Sequence, residues 1–161
     1  MTTSYSVSGF WRGVVIATTV AGTLDILSAF LFDALVNGTP IGVLSGIAAA
    51  ALPQVDLGVV PNAALGLIVH FAIMFVMAAV YFTFAARIAL LNRHIWVSGI
   101  AYGFILWGVM FWGVLPWRFP TLFPILDAQE VAMQLFSHVV LVGLPIALIA
   151  RRAARWHIAE E

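Results

Sequence analysis

Four ionisable side chains fall inside long apolar stretches of this sequence: Asp25, Asp33, His70 and His138. A charge held in hydrocarbon is costly, so each such group marks a place where a proton, ion or ligand could be handled. A carboxylate beside an imidazole can relay a proton or hold a small cation. Two imidazoles at one level can also ligate haem iron from both sides.

Spacing sharpens the set. At about 1.5 Å per residue, His70 and His138 each lie about 10 Å in from the same side, level with one another. Asp25 lies about one turn deeper, and Asp33 falls near the surface, where it can reach water. Glu130, Gln134 and His138 are spaced i, i+4, i+8, a polar stripe descending from a helix end to His138. Glu130 and Gln134 are therefore a candidate access path. Thr18, Gly22, Asp25 and Ser28 or Ala29 form a second stripe, and His70, Met74, Met77 and Tyr81 share a third face. Lipid cannot solvate such stripes, so they are expected to face the interior.

Three roles suit Asp25, His70 and His138. They can hydrogen-bond across helices and fix the packing. They can form a proton or small-cation site reached through Glu130 and Gln134. Alternatively, His70 and His138 can ligate haem b between diagonal helices, with Gly108 and Ala29 making room. A divalent metal on the same three groups is disfavoured, because the carboxylate sits a turn too deep. His94 and His157, beside Arg and Trp, are read as interfacial. Tyr81 and Tyr102 are read as packing groups with satisfied hydroxyls. No nucleophile-elbow, phosphate-loop or metalloprotease motif is present.

The elements that must carry these groups follow from composition. Of 161 residues, 63% are hydrophobic and 9% charged. A soluble domain has roughly 25% charged residues, so this chain could not cover a water-facing surface. Its basic residues are all arginine, and the formal net charge is zero, leaving no field for a nucleic acid to follow. There is no cysteine, hence no disulfide or thiolate site. A spanning helix needs roughly 20 apolar residues, and four stretches qualify: 13–36, 63–86, 95–115 and 131–150. Asn37 to Pro40, Pro61-Asn62, Asn92 to His94, and Pro116, Pro120 and Pro124 separate them. Residues 41–52 are apolar but too short to cross. They predict an interfacial or re-entrant helix, because bare loop there would be unsatisfied in lipid. The first stretch is too long for a signal-peptide core and carries Asp25, so it reads as a mature helix.

Arg12, Arg87, Arg93, Arg151, Arg152 and Arg155 fall on one side of this threading and Arg118 on the other. The asymmetry predicts both termini in the cytoplasm, with Trp11, Trp96, Trp117 and Trp156 at interfaces. Gly99 with Gly103, and Ala17 with Ala21, are small-xxx-small pairs that let helices approach closely. Ordinary packing within the chain is the expected use. Pro145 is expected to bend the last span, freeing a carbonyl one turn earlier.

Gly22 to Leu27, Leu65 to Phe71, Gly99 to Gly103, Val114-Leu115-Pro116, and His138 followed by Val142 to Ala147 occur in an order that resembles a group of small bacterial four-helix inner-membrane proteins. The likeness runs over residues 10–152. It implies fold and location and brings no activity. Asp25, His70 and His138 fall within its motifs. Val109-Met110-Phe111 stands where the group often reads Val-Met-Asn, which removes one polar partner.

The expectation is a single all-α transmembrane domain. It has four spans in an up-down bundle plus the short helix, set in a bacterial inner membrane. Its centre is Asp25, His70 and His138, its solvent the lipid bilayer, and its further partners other membrane subunits or copies of itself. It is read as a non-enzymatic accessory subunit or a small-solute or proton-handling protein. The alternative is a b-type cytochrome.

Overall fold

The computed structural model describes residues 6–53 and 57–156, with side chains through residue 154. The side chains of Arg155 and Trp156, and all of His157, lie outside the described residues. Among the described residues every regular element is helical. Four helices are long and apolar enough to cross a membrane: Val7–Leu35, Val59–Arg87, Ile95–Arg118 and Ala128–Ala154. The shortest has 24 residues, about 36 Å at ~1.5 Å each, against a hydrocarbon core of roughly 30 Å.

The first span is one helix, α1 (Val7–Leu35), and the second is α3 (Val59–Arg87). Between them lies α2 (Pro40–Ala51), and α4 (Ala89–Arg93) links the second span to the third. The third span is built from α5 (Ile95–Gly108), a π-helical segment π1 (Val109–Val114) and α6 (Leu115–Arg118). The fourth is α7 (Ala128–Leu135), π2 (Phe136–Gly143) and α8 (Leu144–Trp156).

The first and fourth spans start earlier than the apolar runs suggest, because polar caps set them. Ser6 Oγ accepts from the Gly9 amide, and Asp127 accepts from the Gln129 and Glu130 amides. Thr39 caps α2 through the Gly42 amide, with Pro40 in the first turn, where its missing N–H costs nothing. The stop after α1 is Asn37, whose φ of 63° is the left-handed turn that ends many helices.

Both π segments have the same cause. Each is followed by Leu-Pro: Leu115-Pro116 after π1 and Leu144-Pro145 after π2. A proline has no N–H for the carbonyl four residues back, and its ring crowds that carbonyl. The backbone widens upstream instead. The Leu115 amide bonds Met110 O and the Leu144 amide bonds Val139 O, each five residues back.

All four spans run alternately up and down. Gly13 lies against Phe82 and Ala153, so the start of α1 meets the ends of α3 and α8. The core is small and tight: Val14, Ala17, Ala21, Ala78, Val142 and Ile146 are fully buried. Gly99 and Gly103 of α5 meet Gly143 and the His138 backbone, so this small-residue pair packs within the chain. Gly66 lets the Leu44 backbone cross α3, which seats α2 on that helix.

The bundle is not closed. The first and fourth spans form the central pair, with α3 packed beside α1 and α5 beside the fourth span. The second and third spans touch mainly near one end. There the Tyr102 hydroxyl donates to Met77 O at 2.7 Å and Tyr81 donates to Ser98 Oγ at 2.9 Å. Beyond these bonds the two helices part around an apolar cleft.

Candidate functional site

Asp25, His138, Glu130 and Gln134 line one cavity of about 220 Å³, with Ala29, Phe32, Phe111, Met133 and Ser137. Asp25 and Ala29 come from α1. Glu130 and Gln134 come from α7, and Ser137 and His138 from π2. The cavity runs from Asp25 and His138 to Glu130, eight residues up the fourth span, about 12 Å.

The hydrogen bonds fix which atoms are free in it. His138 Nδ1 lies 3.1 Å from the Gln134 carbonyl. A carbonyl only accepts, so Nδ1 carries the proton and the neutral ring keeps Nε2 as its basic nitrogen. Phe111 stands edge-on against the imidazole at 5.4 Å. Trp107 Nε1 donates to Gln134 Oε1 at 3.3 Å, which leaves the Gln134 amide N–H groups as donors. Ser28 Oγ donates to the Asp25 carbonyl at 2.8 Å and lies 2.7 Å from Ser137 Oγ. These bonds hold the α1 and π2 backbones together at the wall of the cavity. Among the described residues none donates to the Asp25 carboxylate and none bonds His138 Nε2.

His70 does not join them. Its Nε2 donates to the Gly22 carbonyl of α1 at 2.9 Å, its edge meets Phe71, and it is buried. It is absent from the cavity that His138 lines. Of the three residues expected together, Asp25 and His138 line one cavity and His70 bonds a different part of α1. Counting depth put the histidines level but could not give their bearing around the bundle: His70 meets α1 at Gly22, and His138 shares a cavity with Asp25. The same arrangement bears on haem b. Ligation through His70 Nε2 would break its bond to Gly22, and His70 does not line the cavity that His138 lines. Among the described residues no three His, Asp or Glu side chains gather as a metal set.

Spacing alone could have found Ser137, which is i+7 from Glu130 on the same stripe. Trp107 carried no such signal. The tyrosines are structural, with both hydroxyls bonded as described. The Ser98 hydroxyl donates to Leu91 O at 2.8 Å, so it accepts from Tyr81. Asp33 lies outside the cavity, beside the turn at Gly38.

No protein-family model, curated protein or solved structure matches the chain.

Proposed function

We propose that the chain is a small, non-enzymatic integral membrane protein whose Asp25–His138 cavity binds a proton or a small cation from one side of the membrane. Four apolar helices support a multi-pass placement. The arginine asymmetry supports cytoplasmic termini, and with the family resemblance it favours a bacterial inner membrane. The apolar α2, seated on α3, fits a re-entrant or interfacial helix.

One observation carries the functional reading. A carboxylate and a basic imidazole nitrogen line the same cavity, and each lacks a protein partner among the described residues. Elsewhere in the bundle His70, Tyr81, Tyr102 and Ser98 are all satisfied. Below the cavity the core is closed by Ala17, Ala21, Val142 and Ile146, each fully buried. A site open on one side binds rather than conducts, which suits an accessory subunit that completes its path with a partner.

The test is infrared difference spectroscopy in nanodiscs, stepping pH and then adding sodium or ammonium. A carboxyl band absent in Asp25→Asn and displaced in His138→Gln is expected. Liposomes holding the protein alone should leak protons no faster than empty ones. A spectrum unchanged by both variants overturns the site. Steady flux abolished by Asp25→Asn overturns the one-sided reading.

A further inference from the structure

The cleft between the second and third spans has a shape and a charge that select its occupant. One lobe, of about 650 Å³, lies between α3 and the third span. A second lobe, of about 480 Å³, lies under α2 and reaches Phe119 and Phe123. The lobes share Val69, Ile73, Met110 and Val114, so they form one continuous apolar space. One end is stopped where Tyr102 bonds Met77 and Tyr81 bonds Ser98. The other is roofed by α2.

Along α3 the cleft extends from Val69 to Val80, eleven steps, about 17 Å at ~1.5 Å per residue. That is about half the roughly 30 Å hydrocarbon core, or one leaflet. A spanning helix of a second copy needs a groove through both leaflets, and the tyrosine stop denies it. A single acyl chain fits.

The mouth carries the selecting charge. Arg118 Nε donates to Ala50 O, and Nη2 lies 3.5 Å from Ala49 O. Ala49, Ala50, Leu115 and Phe119 all line the cleft, so the guanidinium stands at its rim. It is the one arginine at this end of the bundle, and among the described residues no carboxylate pairs with it. Two of its five N–H groups are committed to the end of α2, leaving donors for an external acceptor. We infer that this cleft is a binding site for one anionic phospholipid. Its acyl chain lies between α3 and the third span, and its phosphate rests on Arg118.

The experiment is native mass spectrometry of the whole protein, released from detergent after exposure to phosphatidylglycerol or phosphatidylcholine. One phosphatidylglycerol should be retained, favoured about fivefold over phosphatidylcholine, the scale of one arginine at a membrane surface. Arg118→Gln should erase the preference. Arg118→Lys should keep it, which separates charge from any loss of the α2 contact. Ala72→Trp fills the cleft from an exposed position and should abolish retention at unchanged melting temperature. Because the chain lacks cysteine, Val76→Cys alone reports whether a second copy occupies the cleft. Equal retention of both lipids, retention indifferent to Ala72→Trp, or a Val76→Cys disulfide dimer that excludes lipid overturns the inference.

Discussion

The hydroxyl oxygens of Ser28 and Ser137 lie 2.7 Å apart, and the proton between them belongs to Ser137. Ser28 has one proton and gives it to the Asp25 carbonyl at 2.8 Å. A three-member chain therefore runs from π2 to α1 at the wall of the cavity, which Ser137 lines. Interhelical hydrogen bonds in membrane proteins average about 0.6 kcal/mol, because the separated helices find other partners. Ser137→Ala should cost about that much. Ser28→Ala should cost more, since it also strands the Ser137 proton. A double-mutant cycle by equilibrium unfolding in detergent should give a coupling of about 0.6 kcal/mol. Additive single costs would remove the bond from the account.

His70 and His138 should behave as different kinds of residue. His70→Ala removes the imidazole's bond to the Gly22 carbonyl, which keeps its own helical donor, and leaves a void beside Phe71, at about 1–3 kcal/mol by thermal or chemical unfolding. It should leave the Asp25 infrared band in place, because His70 is not in the cavity. His138→Gln should do the reverse, displacing the band at small cost in stability. If both substitutions displace the band alike, the separation of the two imidazoles is wrong.

Glycine positions offer a sharp contrast. A Cβ on Gly103 would stand 2.5 Å from both the His138 carbonyl oxygen and the Val139 Cα. Those are backbone atoms of the facing span and cannot swing aside. Gly103→Ala should therefore push α5 off π2 and cost about 1–3 kcal/mol, the usual range for overpacking. At Gly113 a Cβ meets nothing within 4 Å, so Gly113→Ala should be neutral or slightly stabilising in the same melt.

Thr18 is a defect that can be repaired. Its hydroxyl is buried on α1 with no partner among the described residues. Thr18→Val keeps the branched shape and removes the orphan. Stability should rise by about 1 kcal/mol. A drop in melting temperature would mean that the hydroxyl is bonded in the membrane, for instance through a water.

Four spans could be read from the sequence because twenty apolar residues in a row have few other uses. Their ends could not, because Ser6 and Asp127 cap the helices outside the apolar runs. Within the site, Asp25, Glu130, Gln134 and His138 announced themselves by burial cost and by i, i+4, i+8 spacing. The bearing of His70 did not, since depth along a helix says nothing about which neighbour it meets. The open cleft was equally hidden. Its walls are the same valines, isoleucines and methionines that would line a closed bundle, and hydropathy does not distinguish an open gap from a packed one.

The winding of the fourth span was also hidden in the hydropathy, although its cause is written as Leu144-Pro145. Without a proline N–H, Leu141 O has no donor four residues ahead, and π2 takes up the slack. Pro145→Ala restores that N–H. The segment should then tighten to α-helix, which removes at least one residue of slack and turns everything upstream by about 100° around the axis. Ser137 would leave Ser28, and His138 would leave the cavity it shares with Asp25. Global stability should fall, because the serine bond and the close fit of Gly103 on His138 and Val139 are lost against one helical bond gained. The Asp25 band should lose its response to His138→Gln in the Pro145→Ala background. Retention of that response would show that π2 is held by its packing on Gly99 and Gly103, and that the proline merely follows it.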